Sequence, residues 1–135
     1  MSSRRSVSSG SPYEPVIGFT RAIRVGEVIH VSGTGPVFPG GQLPAAGFPV
    51  DDAFAQTQRA FEIALAAVTE LGGTVQDVVR TRMFMTQVAD WEEVGRAHGS
   101  LFGSVRPAAT MVVVAALLDP TWRIEVEVEA IVSTD

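Results

Sequence analysis

Between Arg123 and Val132 the chain alternates. Ile124, Val126, Val128, Ala130 and Val132 are apolar, and Arg123, Glu125, Glu127 and Glu129 stand between them. A period of two marks a strand with one buried face, so the apolar row belongs against a core. The other row sets three carboxylates on one face, spaced by about 7 Å along the strand, where they repel unless solvated or matched. The strand expected over Val78–Thr86 offers a match, because Arg80 and Arg82 share a face. The plain reading is an ion-pair ladder on the open face of a sheet, and that charged face must meet a partner.

The rest of the pattern supplies the other elements. Strand signals over Thr20–Val25 and Glu27–Ser32 meet at Gly26 as a tight hairpin. Gly33 to Pro49 holds five glycines and four prolines and reads as a loop wrapping the domain. Asp51 or Asp52 caps a long helix that stops at Gly72-Gly73, with a core-facing stripe of Phe54, Thr57, Phe61, Ala64, Leu65, Val68 and Leu71. Asp90 with Glu93 three residues on resembles a capping box and opens a second helix through Phe102. Thr110–Leu117 and Arg123–Val132 follow as strands around Asp119-Pro120. The order is ββαβαββ, an α+β fold with two helices on one face of a mixed sheet. Residues 1–12, Ser-rich with Val7 their one large apolar side chain apart from the initiating Met1, read as a disordered tail before a single domain, residues 13–135.

Composition narrows the function classes. The 135 residues are 46% hydrophobic and only 19% charged, which points to surface hidden by self-association. A net charge of −5, with ten basic residues scattered among fifteen acidic ones, argues against nucleic acid as a partner. No cysteine is present, which excludes disulfides, thiolate catalysis and thiolate metal ligands. The start lacks the apolar core of a signal peptide, and Met111–Leu118 is far short of the ~20 residues of a membrane span, so a cytoplasmic protein is expected, without a membrane partner.

Most catalytic signatures are missing. Gly33-Thr34-Gly35-Pro36 lacks the lysine and helix of a phosphate loop. His30 and His98 lack the paired spacing of a zinc site, and neither a metal nor any other cofactor is implied. The second helix is more suggestive, since Trp91, Gly95, His98 and Phe102 line one face. Gly95 and Gly99 within it cost about 1 kcal/mol each relative to alanine, so a backbone or ligand is expected to approach closely. Arg106 before Pro107 reads as a helix-end cap or an anion holder.

Arg24-Val25-Gly26 through Val31-Ser32-Gly33, the helix from Ala55-Gln56-Thr57 to Gly72-Gly73, Val78-Val79-Arg80-Thr81-Arg82, Arg106-Pro107-Ala108 and Glu127-Val128-Glu129-Ala130-Ile131 together resemble the Rid family, the YjgF-like reactive intermediate deaminases. The resemblance runs over about residues 19 to 132. It implies a chorismate-mutase-like fold, a homotrimer, and a small-metabolite cleft at each subunit interface. Members with the full site hydrolyse enamines and imines to 2-keto acids and ammonia, and some relatives are described as ribonucleases or translation inhibitors. Carried over by position, Glu127 falls where a glutamate orders water, and Ser32 and Gly33 on a Ser-Gly loop that continues to Thr34. Phe19 falls on a first-strand aromatic, Gly95 on a helix asparagine and His98 on a nearby tyrosine.

The arginine that holds the substrate carboxylate in the deaminases is replaced here by Ala109, and Arg21, Arg82 and Arg106 are candidate substitutes. The leading reading is a cofactor-free hydrolase of imines, enamines or related C–N bonds, with Glu127 as general base and His98 assisting proton transfer. Phe19, Arg21, Ser32, Gly33, Thr34, Arg82, Trp91, Gly95, Arg106 and Ala109 would contact substrate. The alternatives are a non-catalytic metabolite-binding trimer and, behind it, an endoribonuclease.

Overall fold

A computed structural model describes residues 3–37 and 50–133. Six strands form one sheet: β1 (Arg4–Val7), β2 (Ala22–Val25), β3 (Val28–Thr34), β4 (Val78–Met85), β5 (Ala108–Val113) and β6 (Ile124–Ile131). Their spatial order is β1-β2-β3-β6-β4-β5. All neighbours are antiparallel except β4 and β5, the parallel pair. Helices α1 (Ala53–Glu70) and α2 (Trp91–Phe102) cover one face. No helix among the described residues is long and apolar enough to cross a membrane.

β6 is central, paired with β3 on one side and β4 on the other. Its inner row, Ile124, Val126, Val128 and Ala130, is fully buried. Burial of one row against helices, with the other left open, is what the alternation encodes. Ala60, Ala64 and Ala67 on α1 are buried too, and their small side chains let the helix lie close on the sheet with Phe61 and Val68. The hairpin closes at Gly26, whose φ of +61° suits a two-residue turn between Val25 and Val28.

Both ends of α1 are closed by side chains. Asp52, of the two candidate caps, accepts a hydrogen bond from the Ala55 backbone N–H at 2.9 Å, worth about 1 kcal/mol. At the other end Gly72 turns the chain with φ +90°, while Arg24 Nη1 and Arg5 Nη2 both donate to Leu71 O, at 2.8 and 3.2 Å. Between α1 and β6, Gln56 acts as a clamp. Its amide donates to Val50 O and Thr121 O and accepts from the Arg123 backbone N–H at 2.7 Å, wholly buried.

Three expectations are corrected. The start of the chain is not wholly unstructured: Arg4–Val7 pairs antiparallel with β2, in register from Arg4↔Val25 to Val7↔Ala22. An edge strand gains most of its stability from backbone pairing, so it needs few apolar residues, and Val7 alone packs on the core. Asp90 does not cap α2 through its side chain: its backbone is already helical, in the 3-10 turn Val88–Asp90 that runs into α2, and one carboxylate oxygen pairs with Arg123 Nη1 at 3.0 Å while the other has no partner. The strand expected over Thr110–Leu117 runs instead over Ala108–Val113. Within one copy no backbone approaches either glycine of α2: a Cβ at Gly95 would meet only Met111 at ordinary contact, and one at Gly99 would meet nothing within 4 Å, which leaves the space open to a ligand or a second copy. Most of the expected loop from Gly33 to Pro49 lies outside the described residues.

Candidate functional site on the open face

The open sheet face carries Glu125, Glu127 and Glu129 on β6, Arg80 and Arg82 on β4, and His30 and Ser32 on β3. Arg82 stands directly across from Glu127, its Nη1 lying 3.5 Å from Glu127 Oε1 and 3.4 Å from Glu129 Oε1. His30 Nδ1 approaches Glu129 from the other side at 3.5 Å. The expected ladder is therefore half present. Arg80 leaves it and donates to Thr110 Oγ1 at 2.7 Å, because the parallel neighbour β5 offers a hydroxyl beside it.

A β-bulge shapes the middle of this face. β3 advances from Val31 to Thr34 while β6 advances only from Val128 to Val126, so Ser32 and Gly33 together oppose Glu127. The bulge is held from below: the Ser32 hydroxyl donates to Thr20 O at 2.6 Å, the Ser32 N–H to Arg21 O, and Thr34 Oγ1 to Ser32 O. Arg21 Nη1 donates to Thr34 Oγ1 at 2.9 Å. A shallow cavity of about 200 Å³ opens between Ile23, His30, Ser32, Arg82, Glu127 and Glu129.

Glu125 occupies the bulge end of the face. Its carboxylate rests on Gly33, where a Cβ would collide with Oε2. Burial, and then repulsion from Glu127, raise its pKa above the usual 4.5, with Arg21 acting in the opposite sense. Burial likewise lowers the pKa of Arg21, against the fields of Glu14 and Glu125.

The other candidates lie elsewhere. Thr81 on β4 points to the helix side, fully buried, and its hydroxyl is 2.8 Å from His98 Nε2. The His98 ring packs against Phe102 and the edge of Phe61, and burial lowers its pKa. His98 and Glu127 are thus on opposite faces of the sheet and cannot share a proton within one chain. Ala109 pairs with Thr81 and shares that helix side, exposed on the edge strand. Trp91, the first residue of α2, and Arg106, just after it, are exposed, and Gly95 is partly exposed. Arg106 adopts φ +59°, and its backbone N–H, not its guanidinium, closes α2 by donating to Phe102 O. Phe19 ends a π-helical turn, Glu14–Gly18, two residues before Arg21, and is partly exposed beside Tyr13, Val16 and Ile17. Among the described residues no three potential ligands converge as for a metal ion.

The profile of the Endoribonuclease L-PSP family matches residues 10–132. The chain belongs to the Rid, YjgF-like family. An uncharacterized protein from Streptomyces coelicolor is 42% identical over 126 residues, covering 93% of this chain and 90% of that one. A crystal structure of a YjgF-family member from Mycobacterium tuberculosis superposes with a TM-score of 0.84 at 39% identity, covering 96% of this chain and all of its own. The 3-aminoacrylate deaminase RutC of Acinetobacter baylyi is 27% identical over 117 residues, 87% of this chain and 88% of that one. The α+β fold with both helices on one sheet face is therefore that of the Rid family.

Within that family frame, this chain brings Arg21, Ser32, Gly33, Arg82 and Glu127 together at the open face, while Thr34, paired with Val126, is buried and reached only by the Arg21 guanidinium. It leaves Trp91, Gly95, His98, Arg106 and Ala109 on the side of α2 and β5. The ladder expected to include Glu125 stops at Glu127: among the described residues Glu125 has no ion pair, and its carboxylate rests on Gly33.

Proposed function

We propose that this Rid protein is a cofactor-free hydrolase of small imines, enamines or related C–N bonds, working in clefts between the subunits of a homotrimer. Family membership supports deaminase-type chemistry at the coarse level. The observation that carries the reading further is the bulge at Ser32–Gly33 facing Glu127, with Arg82 fixing the carboxylate across the strand.

In this reading water adds to the C=N carbon while Glu127 takes a proton from it. The resulting carbinolamine collapses to a carbonyl as its nitrogen leaves protonated. The sum is an iminium ion plus water giving a carbonyl compound plus ammonium, with no electron transferred and no cofactor required. A cleft between copies is favoured because the candidates form two groups on opposite sides of the sheet. The open face of one copy and the α2–β5 side of another would complete one site. His98, held by Thr81 and two phenylalanines, serves packing in this reading.

Ala109 favours a second reading. A methyl group where the deaminases hold a carboxylate with arginine supplies no charge-assisted contact. A trimer that binds a metabolite without turning it over would then show ligand-induced thermal stabilisation and no product. Ammonia release from imines generated in situ, compared between the native protein and Glu127→Gln, separates the two.

A further inference from the structure

We propose that His30 and Glu129 are positioning residues for Glu127: the charge on His30 decides how Arg82 divides itself between Glu129 and Glu127. The proposal rests on Glu127 being the working base, as argued above, and adds what regulates it.

Four atoms stand in series across three strands of the open face. His30 Nδ1 lies 3.5 Å from Glu129 Oε1, that oxygen lies 3.4 Å from Arg82 Nη1, and that nitrogen lies 3.5 Å from Glu127 Oε1. Register sets the order, since His30 faces Glu129 across β3 and β6 while Arg82 faces Glu127 across β4 and β6. Every link is longer than the roughly 2.7–2.9 Å of a committed charge-assisted bond. Arg82 Nη1 is thus divided between two carboxylates, and Glu129 Oε1 between two nitrogens. All four side chains line the cavity of about 200 Å³, beside Ile23 and Ser32.

Histidine is the side chain whose charge ordinarily changes between pH 5 and 8. A charged His30 neutralises Glu129, which weakens the hold of Glu129 on Arg82 and leaves the guanidinium to Glu127. Glu127 is then the better-compensated anion and the poorer base toward water. A neutral His30 returns Arg82 in part to Glu129, and Glu127 takes a proton more readily.

Outside this series the surroundings of His30 are uncharged or turned away. On β2 it faces Ile23, with Val25 and Arg21 diagonal to it, and Arg21 is directed to Thr34 Oγ1 and Gly33 O. On β6 its diagonals are Glu127, a member of the series, and Ile131. Val28 and Ser32 share its face on β3, and both helices lie behind the sheet.

The test follows the Glu127 side-chain carboxyl and the His30 ring by NMR across a pH series. It uses the native protein, His30→Gln and Glu129→Gln, with thermal melts confirming that the variants fold. In the native protein the Glu127 resonance should inflect at the pH where the His30 ring titrates, and that inflection should vanish in both variants. A Glu127 resonance indifferent to the His30 transition, or an inflection that survives Glu129→Gln, overturns the proposal. Turnover is read separately, as the ratio of native to His30→Gln rates, which cancels the pH dependence of the imine itself. His30→Gln should match the native protein above the His30 transition and exceed it by about two- to fivefold below it, in kcat rather than KM. Where imines are hydrolysed, a ratio that does not change with pH also overturns the proposal. A coupled inflection in a protein that hydrolyses no imine removes the hydrolase reading and leaves the link from His30 to Glu127 standing. Hydrolysis that depends on Glu127 without the coupled inflection does the reverse.

Discussion

Arg82 Nη1 lies 3.5 Å from Glu127 and 3.4 Å from Glu129, so one guanidinium bridges two carboxylates of the same strand face. All three side chains are about a third exposed, and solvent screening keeps the stabilisation of such pairs near 0–1 kcal/mol. Arg82→Met is therefore expected to lower stability by about 1 kcal/mol or less in urea unfolding. Its effect on turnover should be far larger than its effect on stability, because Glu127 loses the group that positions it.

Two glycines near the site should respond differently to alanine. At Gly33 the added Cβ meets the far end of Glu125, a flexible side chain that can swing away. Gly33→Ala should fold with less than about 1 kcal/mol lost. At Gly35 the Cβ would come within 2.5 to 2.6 Å of three Trp122 ring atoms, and a packed indole cannot move as cheaply. Gly35→Ala should cost about 1–3 kcal/mol. Denaturant midpoints of the two variants compare them directly.

His98 and Glu125 give pH dependences of opposite sign. The folded pKa of His98 is lowered from 6.5 by burial, so the unfolded chain binds a proton first as pH falls. Its contribution is neutral well above 6.5 and destabilising as pH drops through and below that value. His98→Gln should flatten stability across that window. The folded pKa of Glu125 is raised from 4.5, so its ionised form is penalised at neutral pH. Glu125→Gln should be more stable than the native protein at neutral pH, with the gain fading as pH falls toward 4.5. Thermal melts over a pH series check both.

Gln56 tests the account of the fold. Its buried amide satisfies the Arg123 N–H and the Val50 and Thr121 carbonyls. Gln56→Ala would leave these groups unpaired beside a cavity, and a loss of about 2–4 kcal/mol in equilibrium unfolding is expected.

Where one physical term dominated, the sequence was readable. β6 alternates cleanly because it is central and buried on one face only, and α1 shows its stripe because one side alone meets the sheet. β1 escaped because an edge strand is held by backbone pairing, which leaves little trace in side-chain pattern. Asp90 was misread because a 3-10 turn, Val88–Asp90, already gives it helical backbone angles, and its one paired oxygen meets Arg123, 33 residues away. Arg80 was drawn off by a hydroxyl on a strand whose parallel pairing no local pattern reveals. Glu127 was found through family resemblance and its place in the charged row. That Glu125 stands outside the ladder was not legible, because its setting depends on a register shift at Ser32–Gly33 and periodicity assumes that registers do not shift.

The central claim is that Glu127 acts on water at the open face. Its most direct test is ammonia release from a panel of imines generated in situ, with and without a carboxylate, by native protein and Glu127→Gln at matched concentration. The account predicts turnover by the native protein that falls by about a hundredfold or more in the variant. Equal ammonia release by the two proteins, at or above the uncatalysed rate, would contradict it.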